Sequence, residues 1–277
     1  MDDRFAQAQP RAIVFVELVG AMVGRTLKMA FWLFHDHLGT LLAANLIWAV
    51  ALAVPISIGV PAFISGDARL MFLVGAPAIF VAFFVLSPLV CTGIAHLVKT
   101  CIDTRDGSLS DFFTGMWKYA LRSVGAGVVY GVVMIALLTS AWFYATRLHA
   151  TAPIVGYALS GLALGSAAVL GAMALLLPAA IVQRKTGVFA TLRLTLLLVL
   201  ANPLWMLGVS LQCLFLTVLS VFFVPLFFAG YASAVVCAGS AAYELLARKY
   251  AVDREQDDLQ DDYLNRGLRD LFFPWKG

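Results

Sequence analysis

Long apolar stretches separated by short polar segments dominate the hydrophobic pattern of this chain. Six of them reach the roughly 20 residues that a helix needs to cross the hydrocarbon core of a bilayer. The pattern predicts spans over residues 38–64, 70–98, 124–145, 153–182, 203–223 and 224–246. The last two are nearly continuous, and Pro225 suits the first turn of a new helix. We therefore expect the chain to turn back between them.

The segment before the third span has a different, amphipathic period. One helical face collects apolar residues at i, i+3, i+4, i+7, i+8, i+11 and i+12, namely Leu109, Phe112, Phe113, Met116, Trp117, Ala120 and Leu121. Ser108 and Asp111 have the spacing of a capping box at its start. A basic, aromatic helix of this kind beside a span is expected to lie in the membrane interface, and packing on the protein itself is the alternative.

Similar units begin near residues 25, 109 and 187, each with one such helix followed by two spans. Ala44–Trp48 and Ala201–Trp205 also look alike, since both read Ala-Asn-x-x-Trp. The predicted fold is an all-α integral membrane protein, with six transmembrane helices as three hairpins and amphipathic interfacial helices on the cytosolic side. Residues 1–24 form an N-terminal segment, 25–250 the transmembrane domain and 251–277 an acidic tail.

Composition supports a membrane assignment. The 277 residues are 62% hydrophobic and 13% charged, whereas soluble domains average roughly 45–50% apolar and about 25% charged. So little charge cannot cover the surface of a soluble protein of this size. A soluble enzyme, a disordered chain and a secreted disulfide scaffold are therefore excluded.

The distribution of cations predicts the orientation. With six spans, 17 of the 19 Lys and Arg residues fall on one side, and only Arg69 and Arg147 fall on the other. The positive-inside rule then places both termini in the cytoplasm. The net charge of +3 without a basic, aromatic stripe argues against nucleic-acid binding.

Cations and one tryptophan in the predicted interfacial helices are candidates for contact with lipid headgroups. They are Arg25, Lys28, Trp117, Lys118, Arg122 and Arg193. The bilayer is thus the first predicted partner.

No constellation typical of catalysis or cofactor binding is found in the sequence. His35 and His37 are two residues apart and would point away from each other on a helix, so a metal site is not expected there. We predict no catalytic residues, no metal and no cofactor. Glu244 precedes Arg248 by four residues, which favours a structural ion pair over a general base.

Charged side chains are absent from the centres of the spans, but polar ones are present. Asn45, Tyr130 and Gln212 are the candidates for an intramembrane polar site. Small residues form faces on two spans. On the fourth they are Gly161, Gly165 and Gly171, with Ala163, Ser166, Ala167 and Ala168 nearby, and on the sixth they are Gly230, Ser233, Ala234, Ala238 and Ala241. Packing within the bundle is the first interpretation of these faces, and a homo-oligomer is the second.

The tail differs sharply in composition from the spans. It is acidic at first and ends in an apolar cluster containing Phe272, Phe273 and Trp275. We expect these aromatic residues to be buried, either under the protein's own cytosolic helices or in a partner protein.

Two groups of residues resemble the YesL-like family of bacterial polytopic membrane proteins. They are Phe31-Trp32-Leu33-Phe34 with Leu38-Gly39 and Asn45-Leu46-Ile47-Trp48, and Asp111-Phe112-Phe113 with Trp117 and Lys118. The resemblance covers about residues 25–250 and carries no catalytic residues. It implies a transport-associated role.

Two functions follow from these observations. The first is a non-catalytic accessory or scaffold of a transport or envelope system that engages lipid and a partner through its cytosolic face. The second is a transporter of a small molecule or lipid with a site between the helical repeats. A dry, packed bundle would favour the first, and a polar cavity at mid-membrane would favour the second.

Overall fold

A computed structural model describes residues 3–148, 151–250 and 263–266, with side chains from residue 20 onward. Those ranges are helical and contain no strand, and six helices are long and apolar enough to cross a membrane. The prediction of six spans is confirmed. In chain order the helices are α1 (Asp3–Asp36), α2 (Leu38–Ile64), α3 (Ala68–Thr104), α4 (Leu109–Lys118), α5 (Ala120–Leu148), α6 (Pro153–Gln183), α7 (Val188–Ala201), α8 (Pro203–Phe222) and α9 (Val224–Tyr250).

Several boundaries of the spans lie at prolines or at polar residues of the sequence. Pro153 and Pro203 occupy the first turns of α6 and α8, where their missing N–H groups are not needed. Phe223 alone separates α8 from α9, so the turn lies where the sequence predicts it. Helix α1 is continuous from Asp3 to Asp36 and therefore crosses the predicted boundary at residue 25.

Helix α4 is shorter than its amphipathic pattern. It ends at Lys118, because Tyr119 leaves the helical conformation, and Ala120 and Leu121 begin α5. The chain changes direction at Tyr119, from the short helix into the span. Its start has the predicted capping box between Ser108 and Asp111.

Proline shapes α3. The segment Ala82–Leu86 forms a π-helical turn just before Pro88, which has no N–H to offer the carbonyl of Phe84. Gly127 of α5 lies directly against that carbonyl and against the ring of Pro88, where any side chain would clash. The irregular turn is thus covered by a neighbouring helix rather than left facing lipid.

Helix α9 lies at the centre of the bundle and packs against α1, α2, α3, α6 and α8. Its small side chains make this contact possible: Ser233, Ala238 and Ala241 are buried. Gly239 touches the backbone carbonyl of Leu175 in α6 so closely that even a methyl group could not fit. The predicted small-residue face of the sixth span is therefore an intramolecular packing face.

Helix α6 packs on the bundle through part of the predicted small-residue face, its alanines rather than its first two glycines. Its buried positions include Ser160, Ala163 and Ala167, and the hydroxyl of Ser160 donates to the carbonyl of Ala141 in α5. Gly161 and Gly165 face away from the rest of the described chain. The interpretation of these two glycines as intramolecular packing positions thus does not fit the structure.

The first amphipathic unit is buried more deeply than a helix that rests on a membrane surface. Met29, Trp32 and Leu33 of α1 belong to the main core, although Arg25 is exposed. The indole N–H of Trp205 in α8 donates to the hydroxyl of Thr26 at 3.1 Å, which joins α1 to α8.

Candidate functional site

The C-terminal ends of α3, α6 and α9 meet at one end of the bundle, which we call the cation-rich end and define by Lys99, Arg184 and Arg248. Glu244 of α9 lies among them and is 8% exposed. Its Oε2 accepts a hydrogen bond from Nε2 of Gln183 at 3.1 Å and lies 3.6 Å from Nζ of Lys99. A nearly buried carboxylate needs such partners, because desolvation of an isolated charge is costly.

Lys99 extends this network to the surface. Its ammonium group is 2.7 Å from the carboxylate of Asp103, one helical turn further along α3. Glu244 of α9 is the common acceptor of this cluster, since it joins α3 through an ion pair and α6 through a hydrogen bond.

Arg184 ends α6 and contacts two other elements. Its Nε donates to the phenolic oxygen of Tyr243 at 3.3 Å. Its carbonyl accepts a hydrogen bond from the guanidinium of Arg122 in α5. A cation at the carbonyl end of a helix is favourable because that end carries partial negative charge.

A groove of about 590 Å³ opens at this end between α7 and α9. Leu194, Leu197 and Leu198 of α7 line one wall, and residues of α9 line the other. Arg184, Glu244 and Arg248 supply charged groups at the same groove. Its volume and its mainly apolar lining with a few polar groups are typical of small-molecule sites.

Asn202 closes one end of this region. Its amide nitrogen donates to the phenolic oxygen of Tyr250 at 2.9 Å, and its amide oxygen accepts from Nζ of Lys249 at 2.6 Å. The junction of α7 and α8 is thereby fastened to the end of α9.

Helix α4 is fixed to α3 by two glycines. The ring of Phe112 lies against Gly93 of α3, and His96 of α3 lies against Gly115 of α4. A side chain at either glycine would overlap its partner. Nδ1 of His96 is also 3.1 Å from the carbonyl oxygen of Asp111.

The opposite edge of α4 faces outward. Trp117 is 72% exposed, and Lys118 and Phe113 are exposed beside it. One face of this helix therefore packs on the protein, and the other is exposed.

Asp111 is held as a carboxylate. The hydroxyl and the backbone N–H of Ser108 both donate to its Oδ2, at 2.7 and 2.9 Å. These bonds lower the pKa of Asp111 from its ordinary value of 3.8.

The predicted headgroup residues have different surroundings in the structure. Four of them are exposed: Arg25, Trp117, Lys118 and Arg193. The other two are half-buried and donate to backbone carbonyls, Lys28 to Leu264 and Arg122 to Arg184.

The three predicted intramembrane polar residues have separate environments. Asn45 is fully buried in α2 and bonds to the backbone of α9. The ring of Tyr130 in α5 packs against Phe84 of α3. Gln212 lies half-buried on α8, and none of the contacts described here joins it to Asn45 or Tyr130.

The two Ala-Asn-x-x-Trp segments form comparable contacts. Asn45 and Asn202 both bond to α9, near its start and at its end respectively. Trp48 and Trp205 both donate their indole N–H to a hydroxyl on another helix, that of Ser87 for Trp48 and that of Thr26 for Trp205.

Residues 263–266 of the tail pack on the bundle, which the sequence did not reveal. Tyr263 is fully buried, with the guanidinium of Arg105 4.0 Å from its ring centroid. Arg266 pairs with Asp36 at the end of α1 at 2.5 Å. Burial raises the pKa of the Tyr263 phenol, and the nearby Arg105 cation opposes that rise.

In the sequence, Tyr263 is recognisable only as part of a thin apolar stripe. Arg105 is marked by a left-handed backbone conformation (φ 60°), which the sequence pattern does not indicate. Phe272, Phe273 and Trp275, which we expected to dock, lie outside the described residues.

His35 and His96 have different contact partners. Nδ1 of His35 is 3.4 Å from Asp36, whereas His96 contacts α4 and the ring of Tyr119. Within the described ranges, no three His, Cys, Asp or Glu side chains are arranged to hold a metal ion.

Comparisons with protein-family models, curated proteins and solved structures found no match. The YesL-like resemblance thus stays a prediction.

Proposed function

We propose that this polytopic membrane protein is a non-catalytic accessory or scaffold of a transport or envelope system in the bacterial inner membrane. Its cation-rich end faces the cytoplasm and engages anionic lipid. Its C-terminal segment, with Phe272, Phe273 and Trp275, docks to a protein partner.

The observation that carries this proposal is the two-sided environment of α4. Its inner face is fixed to α3 through Phe112 and Gly115, so its outer face has a defined position beside the spans. That outer face presents Trp117 and Lys118. An amphipathic ring and a cation side by side suit the headgroup region of a bilayer.

The distribution of charge supports the orientation. Lys99, Arg184 and Arg248 lie near the ends of α3, α6 and α9, which meet. The positive-inside rule favours the cytoplasm for that end.

Depth measurements on a single spin label test the proposal. The full chain is reconstituted in vesicles that contain phosphatidylglycerol, with its native cysteines replaced and a label at Trp117→Cys. A matched label at Thr114→Cys reports the exposed polar face of the same helix. We expect oxygen, which concentrates in lipid, to relax the label at 117, and a water-soluble nickel complex to relax the label at 114.

Equal access of the nickel complex to both labels would show that α4 stands in water. The lipid-engaging role would then be wrong.

The transporter is retained as a second candidate because of one feature, the break in α9 at Gly230, whose φ is 155°. Discontinuous helices in transporters expose half-helix ends to substrates and ions. Here the amide of Asn45 bonds to both sides of the break, and the groove lies at the other end of α9. A water-accessible path to position 45, detected by alkylation of an Asn45→Cys variant from either side of the vesicle, would favour transport over the accessory role.

A further inference from the structure

The groove between α7 and α9 combines three properties at one place. It is about 590 Å³ in volume, it has an apolar wall, and it has guanidinium groups at the same place. This combination matches an amphiphile rather than a fully polar or a fully apolar ligand.

The apolar wall belongs to a helix with lipid-facing character. Leu194, Leu197 and Leu198 line the groove from α7, and Leu197 is 52% exposed. On the facing side, Leu246 and Ala247 of α9 complete an apolar surface along which an acyl chain can lie.

The charges at the groove favour an anion. Arg184 and Arg248 are both lining residues, and among the described residues that line the groove the one carboxylate is Glu244. Lys99 lies 3.6 Å from that carboxylate, and Gln183 donates a hydrogen bond to it. The two guanidinium groups therefore outnumber the carboxylate in this lining.

The position of Arg184 is fixed before any ligand binds. The phenolic oxygen of Tyr243, a buried residue, accepts a hydrogen bond from Nε of Arg184. Planar guanidinium groups held in this way suit phosphate, which they bind through paired hydrogen bonds.

We propose that this groove is a binding site for one anionic phospholipid, with the phosphate at Arg184 and Arg248 and an acyl chain along the leucines of α7. The inference rests on the proposed function, because it takes from that proposal a bilayer with anionic lipid around the protein. It differs from general contact with the membrane surface, because it specifies one site and one headgroup charge.

Native mass spectrometry of the full chain, released from an uncharged detergent, tests the proposal. Phosphatidylglycerol and phosphatidylcholine with identical acyl chains are the probes. We expect one phosphatidylglycerol to be retained at least tenfold more tightly than phosphatidylcholine. The double variant Arg184→Gln/Arg248→Gln should lose that preference.

Two matched controls accompany these variants. Lys185→Gln removes an exposed cation that does not line the groove, and it should leave the preference intact. Ala201→Trp fills the groove and should abolish retention of the lipid, whereas Leu200→Trp, at an exposed neighbouring position outside the lining, should not. The tryptophan pair keeps the test valid if the double arginine variant fails to fold.

Inorganic phosphate provides the last arm of the experiment. Millimolar phosphate should not displace phosphatidylglycerol, because the acyl chain supplies part of the affinity. Equal retention of the two lipids, retention by Ala201→Trp, or displacement by phosphate would each overturn the proposal. None of these outcomes would alter the depth of the label at position 117, so failure of this site is distinguishable from failure of the proposed function.

Discussion

The side-chain amide of Asn45 in α2 bridges the break in α9 at Gly230. Its nitrogen donates to the carbonyls of Phe227 and Phe228 before the break, at 3.0 and 2.7 Å, and its oxygen accepts from the N–H of Ala232 after it, at 2.8 Å. A helix interrupted inside a bilayer leaves backbone groups without partners, and each would be costly in hydrocarbon. One asparagine on a neighbouring helix supplies them.

Asn45→Ala should therefore destabilise the bundle. Hydrogen bonds inside membrane proteins are worth about 0.6 kcal/mol each, so loss of three should lower the free energy of unfolding by about 2 kcal/mol. Unfolding in mixed micelles of increasing SDS content measures it. Ser57→Ala, which removes an exposed hydroxyl bonded within its own helix, is the matched control and should change little. An unchanged midpoint for Asn45→Ala would mean that the break does not depend on this amide.

Gly115→Val should release α4 from α3. The new side chain would occupy the space of His96, so the short helix must move away or the span must bend. Hydrogen exchange of the amides over 109–118 is expected to accelerate several-fold. Gly161→Val adds the same side chain where nothing lies within 4 Å, and its exchange pattern should match that of the unmodified protein. Slow exchange in both variants would contradict the glycine contact.

Removal of Lys99 alone should cost more than removal of Lys99 and Glu244 together. Lys99→Met leaves the nearly buried Glu244 carboxylate without its ammonium partner, and breaking a buried pair in this way costs about 3 kcal/mol. Lys99→Met/Glu244→Leu replaces both charges with apolar groups and should recover most of that loss. The free energies of unfolding of the unmodified protein, both single variants and the double variant form a double-mutant cycle, which measures the interaction between the two side chains. Strict additivity would show that the two side chains do not interact.

The stability of α4 should fall in acid because of Asp111. The pKa of this carboxyl is lowered in the folded state by Ser108, so folding favours its ionised form. The contribution is present above the ordinary pKa of about 3.8 and is lost as the pH falls through the lower folded value. Exchange rates over 109–118, corrected for intrinsic chemistry, should therefore rise relative to the rest of the protein below about pH 4. Asp111→Asn should remove this dependence, and its persistence in that variant would assign it to another group.

Tyr263→Ala should detach the segment 263–266. The phenol ring is fully buried beside Arg105, and truncation to alanine removes this buried contact. Cleavage by trypsin after Arg266 is expected to accelerate at least tenfold. Phe189→Ala removes an aromatic ring that is 75% exposed, and it should leave the cleavage rate unchanged.

The sequence alone predicted the number of spans and most of their boundaries, although α3, α5 and α9 extend several residues beyond the predicted spans. It could do so because the constraint is local: a helix must offer hydrocarbon about 20 apolar residues, and cations and prolines mark where it ends. The capping box of Ser108 and Asp111 was predictable for the same reason, since its partners are three residues apart.

The tertiary structure alone decided which helices meet and therefore which residues form the site. Arg184 and its partner Tyr243 are 59 residues apart in the chain, and Gln183 and its partner Glu244 are 61 apart. The leucines of α7 line a groove only because α9 lies opposite them. Arg122 has the pattern of a headgroup cation, yet it bonds to a carbonyl 62 residues away. In lipid, apolar faces are interchangeable in hydropathy, so the choice among them depends on close fit and on polar partners. Gly239 against Leu175 and Asn45 against α9 supply that choice, and both depend on long-range contacts that no local pattern encodes.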